Sequence, residues 1–197
     1  MMIPRTIRYL LIALMLVGLW QLAIVGKFYL KAWVADQLIS QAWTKSLEEK
    51  DQIRPWSWAD TWPVAELIVP RLNITEIVLM GDSGRILAFG PGLTERSAIP
   101  GDPGLSVISG HRDTHFNFLK DLREGDQLVL KTQAGTSTFI LDELTVVDQN
   151  DFLIDQDYFS KLQSPHILLV TCYPFDALIA GGDLRFIAIA KSQDSVI

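Results

Sequence analysis

The sequence predicts an all-β domain, a barrel or sandwich of about eight short strands, carried behind a transmembrane helix. Three observations predict it. From Ala65 onward the chain falls into short runs rich in Ile, Val, Leu and Phe, with no long helical pattern between them. Turn residues separate those runs: Gly81-Asp82-Ser83-Gly84, Gly90-Pro91-Gly92, Pro100-Gly101-Asp102-Pro103-Gly104, Glu124-Gly125-Asp126 and Gly181-Gly182-Asp183. Near the N-terminus, the 18 residues from Tyr9 to Gly26 carry no charge and one polar side chain, Gln21.

A helix over those residues spans about 27 Å, close to the hydrocarbon thickness of a bilayer. A cleaved signal peptide fits less well. The stretch exceeds the usual signal core, and no small-x-small site follows, because Trp33 stands where Ala35 needs a small partner. Residues 1–26 are therefore read as tail and transmembrane anchor, with a buried soluble helix as the other alternative. Arg5 and Arg8 flank one end and Lys27 and Lys31 the other, so the positive-inside rule is nearly balanced. The very short leader places the N-terminus in the cytoplasm, which predicts a single-pass protein of the inner membrane with its domain on the periplasmic, extracytoplasmic side.

Residues 27–53 continue with Phe28, Ala32, Ala35, Ile39, Ala42, Trp43 and Leu47 at helical spacing, a stalk helix. An amphipathic helix lying on the bilayer is disfavoured by Glu48, Glu49 and Asp51. Residues 54–64 hold two prolines and three tryptophans in Arg54-Pro55-Trp56-Ser57-Trp58-Ala59-Asp60-Thr61-Trp62-Pro63. Proline breaks helix and central strand, and each indole has a large apolar area to bury, so this linker is expected to dock on the domain. A carbohydrate or peptide platform is the sharper alternative.

Residues 65–197 form the domain. Strands are expected at 65–69, 77–80, 85–89, 105–109, 127–132, 138–147, 167–171 and 184–191, and short helices at 117–122 and 157–162. The overall hydrophobic content of 49% with 20% charged residues suits a globular core. The net charge of −6, with basic residues scattered, disfavours nucleic acid, which needs clustered positive charge.

The single cysteine, Cys172, ends the apolar run 167–171. Alone it makes no intramolecular disulfide and no cysteine-rich zinc site, so it is either inert core filler or a nucleophile. A nucleophilic thiol needs a base or cationic partner and donors for the oxyanion it creates. His111 lies just past the strand at 105–109, as Cys172 lies just past its own, where a sheet delivers side chains to a loop-lined site. His115 follows four residues later, but the strand, Gly110 and the Asp113-Thr114 step make a helical metal pair doubtful, so no metal is expected. His166 stands at the far end of the cysteine's strand, nearly 20 Å away at about 3.3 Å per residue, and is expected at the surface. Arg185 is a charge amid apolar neighbours, satisfied by solvent, by Asp183 or by a polar site. If the Gly- and Pro-rich loop before it forms a hairpin, it neighbours Cys172.

These residues resemble a known family. Ser109-Gly110-His111-Arg112-Asp113-Thr114-His115-Phe116, then Leu169-Val170-Thr171-Cys172-Tyr173-Pro174, then Leu184-Arg185-Phe186 is similar to the sortases, membrane-anchored cysteine transpeptidases, over residues 65–191. The Pro/Trp linker and the Gly90-Pro91-Gly92 and Pro100-Gly101 turns look most like the Gram-negative class GN. One departure is Gly104-Leu105, where that group usually has Gly-Asn. The resemblance implies a closed sortase-type β-barrel with short helices, no cofactor, and a protein substrate bearing an LPXTG-like C-terminal sorting signal. Cys172 would attack the Thr-Gly carbonyl to form a thioacyl-enzyme. His111 would protonate the leaving amine and then deprotonate an incoming amine acceptor, whose identity is left open. Arg185 would stabilise the oxyanion or orient the signal. Thr171 is implied as a supporting contact; beside the resemblance, Asp113 and His115 are read as groups behind the site, with a cap on the following turn as the alternative for Asp113. Two rivals remain: another envelope cysteine hydrolase or acyltransferase, though the Ser-His-Gly-Cys cluster of L,D-transpeptidases is absent, and a noncatalytic tethered barrel with Cys172 merely packed.

Overall fold

The computed structural model describes residues 4–150, 162–177 and 181–193. Two compact units divide the chain, Met1–Leu38 and Ile39–Ile197. A single helix, α1 (Arg5–Glu49), runs for 45 residues through the segments read as anchor and as a stalk continuing from it. No proline interrupts it, and its two glycines, Gly18 and Gly26, stand singly, a modest cost each. It contains an 18-residue window of mean hydropathy 2.2, long and apolar enough to cross a membrane. Lys50, at φ 54°, ends it.

Within the second unit, the last turns of α1 bury Ile39, Ala42, Trp43 and Ser46, an i, i+3, i+4, i+7 stripe. Ile39 clusters with Leu79 and Ile86, and Trp56 packs against the same group. Trp56 also meets Phe89 edge-on at 5.3 Å. The linker therefore does touch the domain, but Trp58 is 83% exposed, which corrects the expectation that all three indoles are buried. The cause is local: the Ala59 N–H donates to the Trp56 carbonyl at 3.0 Å, and this tight turn sends Trp56 and Ala59 inward and Trp58 outward.

Eight strands follow: β1 (Pro63–Val69), β2 (Ile74–Met80), β3 (Gly92–Leu93), β4 (Gly104–Ser109), β5 (Gln127–Lys131), β6 (Thr136–Asp148), β7 (Pro165–Cys172) and β8 (Leu184–Ser192). They close a barrel in the order β1-β2-β3-β4-β7-β8-β6-β5. The β1–β5 ladder, with Leu67 opposite Leu130, completes it and decides barrel over sandwich. Strict alternation along β1 puts Ala65, Leu67 and Val69 into the core, where they meet Ile108, Phe116, Phe139, Ile167 and Leu169.

The strand expected at 85–89 is instead a run of turns. Ile86 and Leu87 both donate to the Ser83 carbonyl, at 2.9 and 3.0 Å, coiling the segment so that Ile86 reaches the Ile39 cluster. Its place in the sheet goes to β3, which the glycine-rich turn concealed. Gly92 is required there because a Cβ would stand 2.1 Å from the Gly81 carbonyl oxygen. The helical piece expected at 117–122 is a 3-10 helix, Asn117–Asp121. The one expected at 157–162 lies, apart from Leu162, outside the described residues.

Candidate active site

The barrel brings three strand ends together. β4 and β7 run parallel, with Ser109 level with Val170, and the Gly110 N–H donates to the Val170 carbonyl at 3.1 Å. Continuing that register sets the His111 segment beside the end of β7. β7 and β8 are antiparallel, and Cys172 lies directly opposite Arg185. Directly opposed residues point to one face of a sheet, with Cβ atoms about 5 Å apart. Alternation puts Cys172 with Val170 and Leu168 on the outer face, whereas Thr171 and Leu169 face the barrel core.

Thr171 is buried and its hydroxyl donates to the Gly110 carbonyl at 2.8 Å. It thereby ties the residue before Cys172 to the residue before His111. Gly110 has no room for a side chain, because a Cβ would meet the Phe116 ring at 2.5 Å. The chain then turns tightly, with the Phe116 N–H donating to the His111 carbonyl at 3.0 Å, and His111 stands exposed at the rim.

Arg185 is partly buried. Its Nη1 donates to the carbonyls of Gly182 and Leu184, at 2.6 and 2.9 Å, and its Nη2 donates to Gln149 Oε1. Gln149 in turn donates through Nε2 to Asp183 at 3.1 Å and through its backbone N–H to the Asp183 carbonyl at 2.7 Å. Asp183, suggested by the sequence as a direct partner for Arg185, thus reaches it through Gln149.

Asp113 and His115 turn to other partners. Asp113 accepts from Arg112 Nε at 2.9 Å and Nη2 at 3.2 Å. The Arg112 hydrogen bond is the chief cause that lowers the Asp113 pKa; desolvation opposes it, and the charges of Arg112 and His111 add to the lowering. His115 Nδ1 lies 2.8 Å from Glu76 Oε2 on β2, a contact that braces the turn against the barrel wall. His166 sits at the start of β7, Nδ1 2.9 Å from the Ser164 carbonyl oxygen, and is partly buried where a surface position was expected.

Cys172 is partly exposed and unpaired to any other sulfur. The register sets Cys172 opposite Arg185, and the parallel β4–β7 pairing brings the segment that bears His111 to the same end of the barrel. A sortase-domain family model matches residues 67–193, a span that includes all three strand ends. The chain belongs to the sortase family. Sortase D of Bacillus subtilis (strain 168) is 32% identical over 125 residues, 64% of this chain and 61% of that relative, so the chain spans less than two thirds of the relative's length. Among solved structures, Clostridium perfringens sortase D5 transpeptidase matches with TM-score 0.62 at 20% identity, over 81% of this chain and 98% of that one. Streptococcus agalactiae sortase C1 in complex with MTSET matches with TM-score 0.59 at 23% identity, over 68% and 69%. These structures share the sortase barrel. Two residues of the site have no role in the sequence reading: Arg112, which stands inside the sortase-like motif but also bonds Pro174 and Ala177 on the β7–β8 loop, and Gln149, which buttresses Arg185.

Proposed function

We propose that this chain is a membrane-anchored cysteine transpeptidase that cleaves an LPXTG-like sorting signal and passes the acyl group to an amine. The observation that carries the reading is the register of Cys172 opposite Arg185, beside the strand end that bears His111. Family membership supports the reaction class.

Cys172 Sγ, as thiolate, attacks the Thr-Gly carbonyl carbon, and the electron pair moves to the oxygen. Arg185 faces that oxygen or holds the signal's backbone. Collapse breaks the C–N bond, His111 as imidazolium gives its proton to the leaving glycine nitrogen, and a thioacyl-enzyme remains. An incoming amine attacks the thioester, neutral His111 takes the amine's proton, and the thiolate leaves. Thr171 fixes the spacing of the two strands that carry thiol and imidazole. The apolar helix supports a membrane anchor, read here as one in the inner membrane with the barrel on its extracytoplasmic side. The Pro/Trp linker and the Gly90-Pro91-Gly92 turn support the class GN subgroup, and residues 1–26, 27–53, 54–64 and 65–197 serve as anchor, stalk, linker and catalytic barrel.

The test is peptide cleavage by the full chain in detergent with intact-protein mass spectrometry. A thioacyl adduct on Cys172 and loss of both adduct and cleavage in Cys172→Ala are expected. Turnover by that variant at the wild-type rate refutes nucleophilic catalysis. A folded wild-type protein whose Cys172 resists thiol reagents points to the noncatalytic barrel instead.

A further inference from the structure

Among the described residues, Arg112 is the one arginine whose side chain is nearly closed off from solvent, 5% exposed, and no step of the reaction above uses it. Burying a guanidinium requires that its donors be met. Nη1 donates to the Pro174 carbonyl at 2.6 Å and Nη2 to the Ala177 carbonyl at 3.0 Å, while Nε and Nη2 grip Asp113. Pro174 stands two residues after Cys172, and Arg112 follows His111 directly. Among the described residues of this loop, the Tyr173 N–H donates to the Leu184 carbonyl at 3.1 Å and the Ala177 N–H to the Pro174 carbonyl at 3.4 Å, so Arg112 shares the Pro174 carbonyl with a long backbone bond and adds its own bond to the Ala177 carbonyl.

We propose that Arg112 is a positioning residue, which ties the backbone following Cys172 to the histidine segment and sets a fixed positive charge beside the thiol. The consequence for turnover rests on the sortase reading; the consequence for the thiol does not. A lysine cannot replace it, since one ammonium does not reach two carbonyls and a carboxylate in the directions a planar fork does. The electrostatics agree. The Asp113 hydrogen bond is the largest influence raising the Arg112 pKa, desolvation opposes it, and the charges of Asp113, Cys172 and Asp176 add to the rise. Among the described residues, the titratable groups on the segments that flank the thiol are His111, Arg112 and Asp113 from the loop after β4, Asp176 from the β7–β8 loop, and Arg185 from β8.

The experiment uses the full chain in detergent and follows iodoacetamide alkylation of Cys172 against pH beside cleavage of an LPXTG-type peptide. Arg112→Met should slow alkylation of Cys172 at neutral pH by about tenfold, as expected on losing a nearby cation. It should also lower kcat about tenfold to a hundredfold through displaced groups, with KM changed far less. Arg112→Lys should keep the alkylation profile near wild type, since the charge stays, yet lose kcat because the fork is gone. Should Arg112→Met not fold, Asp113→Asn loosens the exposed side of the grip and should move kcat the same way by a smaller factor. A folded Arg112→Met with wild-type alkylation profile and kcat overturns the proposal, as does a lowered melting midpoint alone. Unchanged kcat in both Arg112→Lys and Asp113→Asn overturns it as well. If the wild type cleaves no peptide while Arg112→Met still shifts alkylation, the sortase reading fails and the charge placement stands.

Discussion

Thr171 shows how one hydroxyl holds two strands of a site. Its Oγ1 donates across 2.8 Å to the Gly110 carbonyl in a buried setting, so Thr171→Val keeps the shape and deletes the bond. The orphaned carbonyl should cost about 1–3 kcal/mol, read as a lower denaturation midpoint. Peptide cleavage should fall as well, because His111 and Cys172 lose their common brace. Arg185 is the other residue whose geometry predicts a result. It spends Nη1 on two backbone carbonyls and Nη2 on Gln149, an arrangement that needs the planar fork. Arg185→Lys should lose about tenfold to a hundredfold in kcat/KM if each lost charged hydrogen bond is worth about 1.5–3 kcal/mol. The split between constants assigns its role: a fall in kcat alone indicates the oxyanion, and a rise in KM alone indicates signal binding.

Between elements, the parts that the sequence makes legible are those governed by period and punctuation. The runs at 105–109, 167–171 and 184–191 announce β4, β7 and β8, and the Gly- and Pro-rich loop between the last two admits the hairpin that sets Cys172 opposite Arg185. The run at 85–89 misleads because Ile86 is apolar to fill a cluster under α1, not to alternate along a ladder. β3 is hidden because a strand of two residues has no period, and its glycine answers a backbone contact. Arg112 is hidden for a different reason: its partners are main-chain carbonyls 62 and 65 positions away, which no side-chain pattern reports. Gln149 is similar, polar at the end of β6 and joined to Arg185 only once β6 and β8 pair. At the β4 terminus the structure makes a sharper demand. Gly110→Ala places a methyl 2.5 Å from the Phe116 ring, and Phe116 is fully buried. The overpacking should cost about 1–3 kcal/mol and swing the His111 turn outward. Stability and cleavage should therefore fall together, whereas alanine at Gly125, which has open space but φ of 85°, should affect stability alone.

The whole barrel depends on closure, and closure joins β1 to β5 across a wide sequence gap. Beside that seam, Arg71, in the 3-10 helix Pro70–Leu72, forks onto Asp126, which is buried just ahead of β5. Nε reaches Oδ1 at 2.5 Å and Nη2 reaches Oδ2 at 2.7 Å, while the Arg123 N–H donates to the same carboxylate at 2.8 Å. The Arg71 hydrogen bond is the main cause that lowers the Asp126 pKa; desolvation opposes it, and the Arg123 backbone bond and both arginine charges add to the lowering. A carboxyl whose folded pKa is depressed binds fewer protons folded than unfolded at mildly acid pH. Its stabilisation is therefore complete above the ordinary aspartate value of about 3.9 and fades as pH falls through the lower folded value. Asp126→Asn should unfold at a lower temperature than wild type at pH 7, measured by circular dichroism of the full chain in detergent. The gap between the two midpoints should stay constant down to about pH 5 and close below the ordinary aspartate range, where wild-type Asp126 is itself protonated. A gap that persists in strong acid would mean the carboxylate charge is not what braces the seam. The active-site end, which Arg71 and Asp126 do not touch, should keep the alkylation profile of Cys172 in the variant at pH 7.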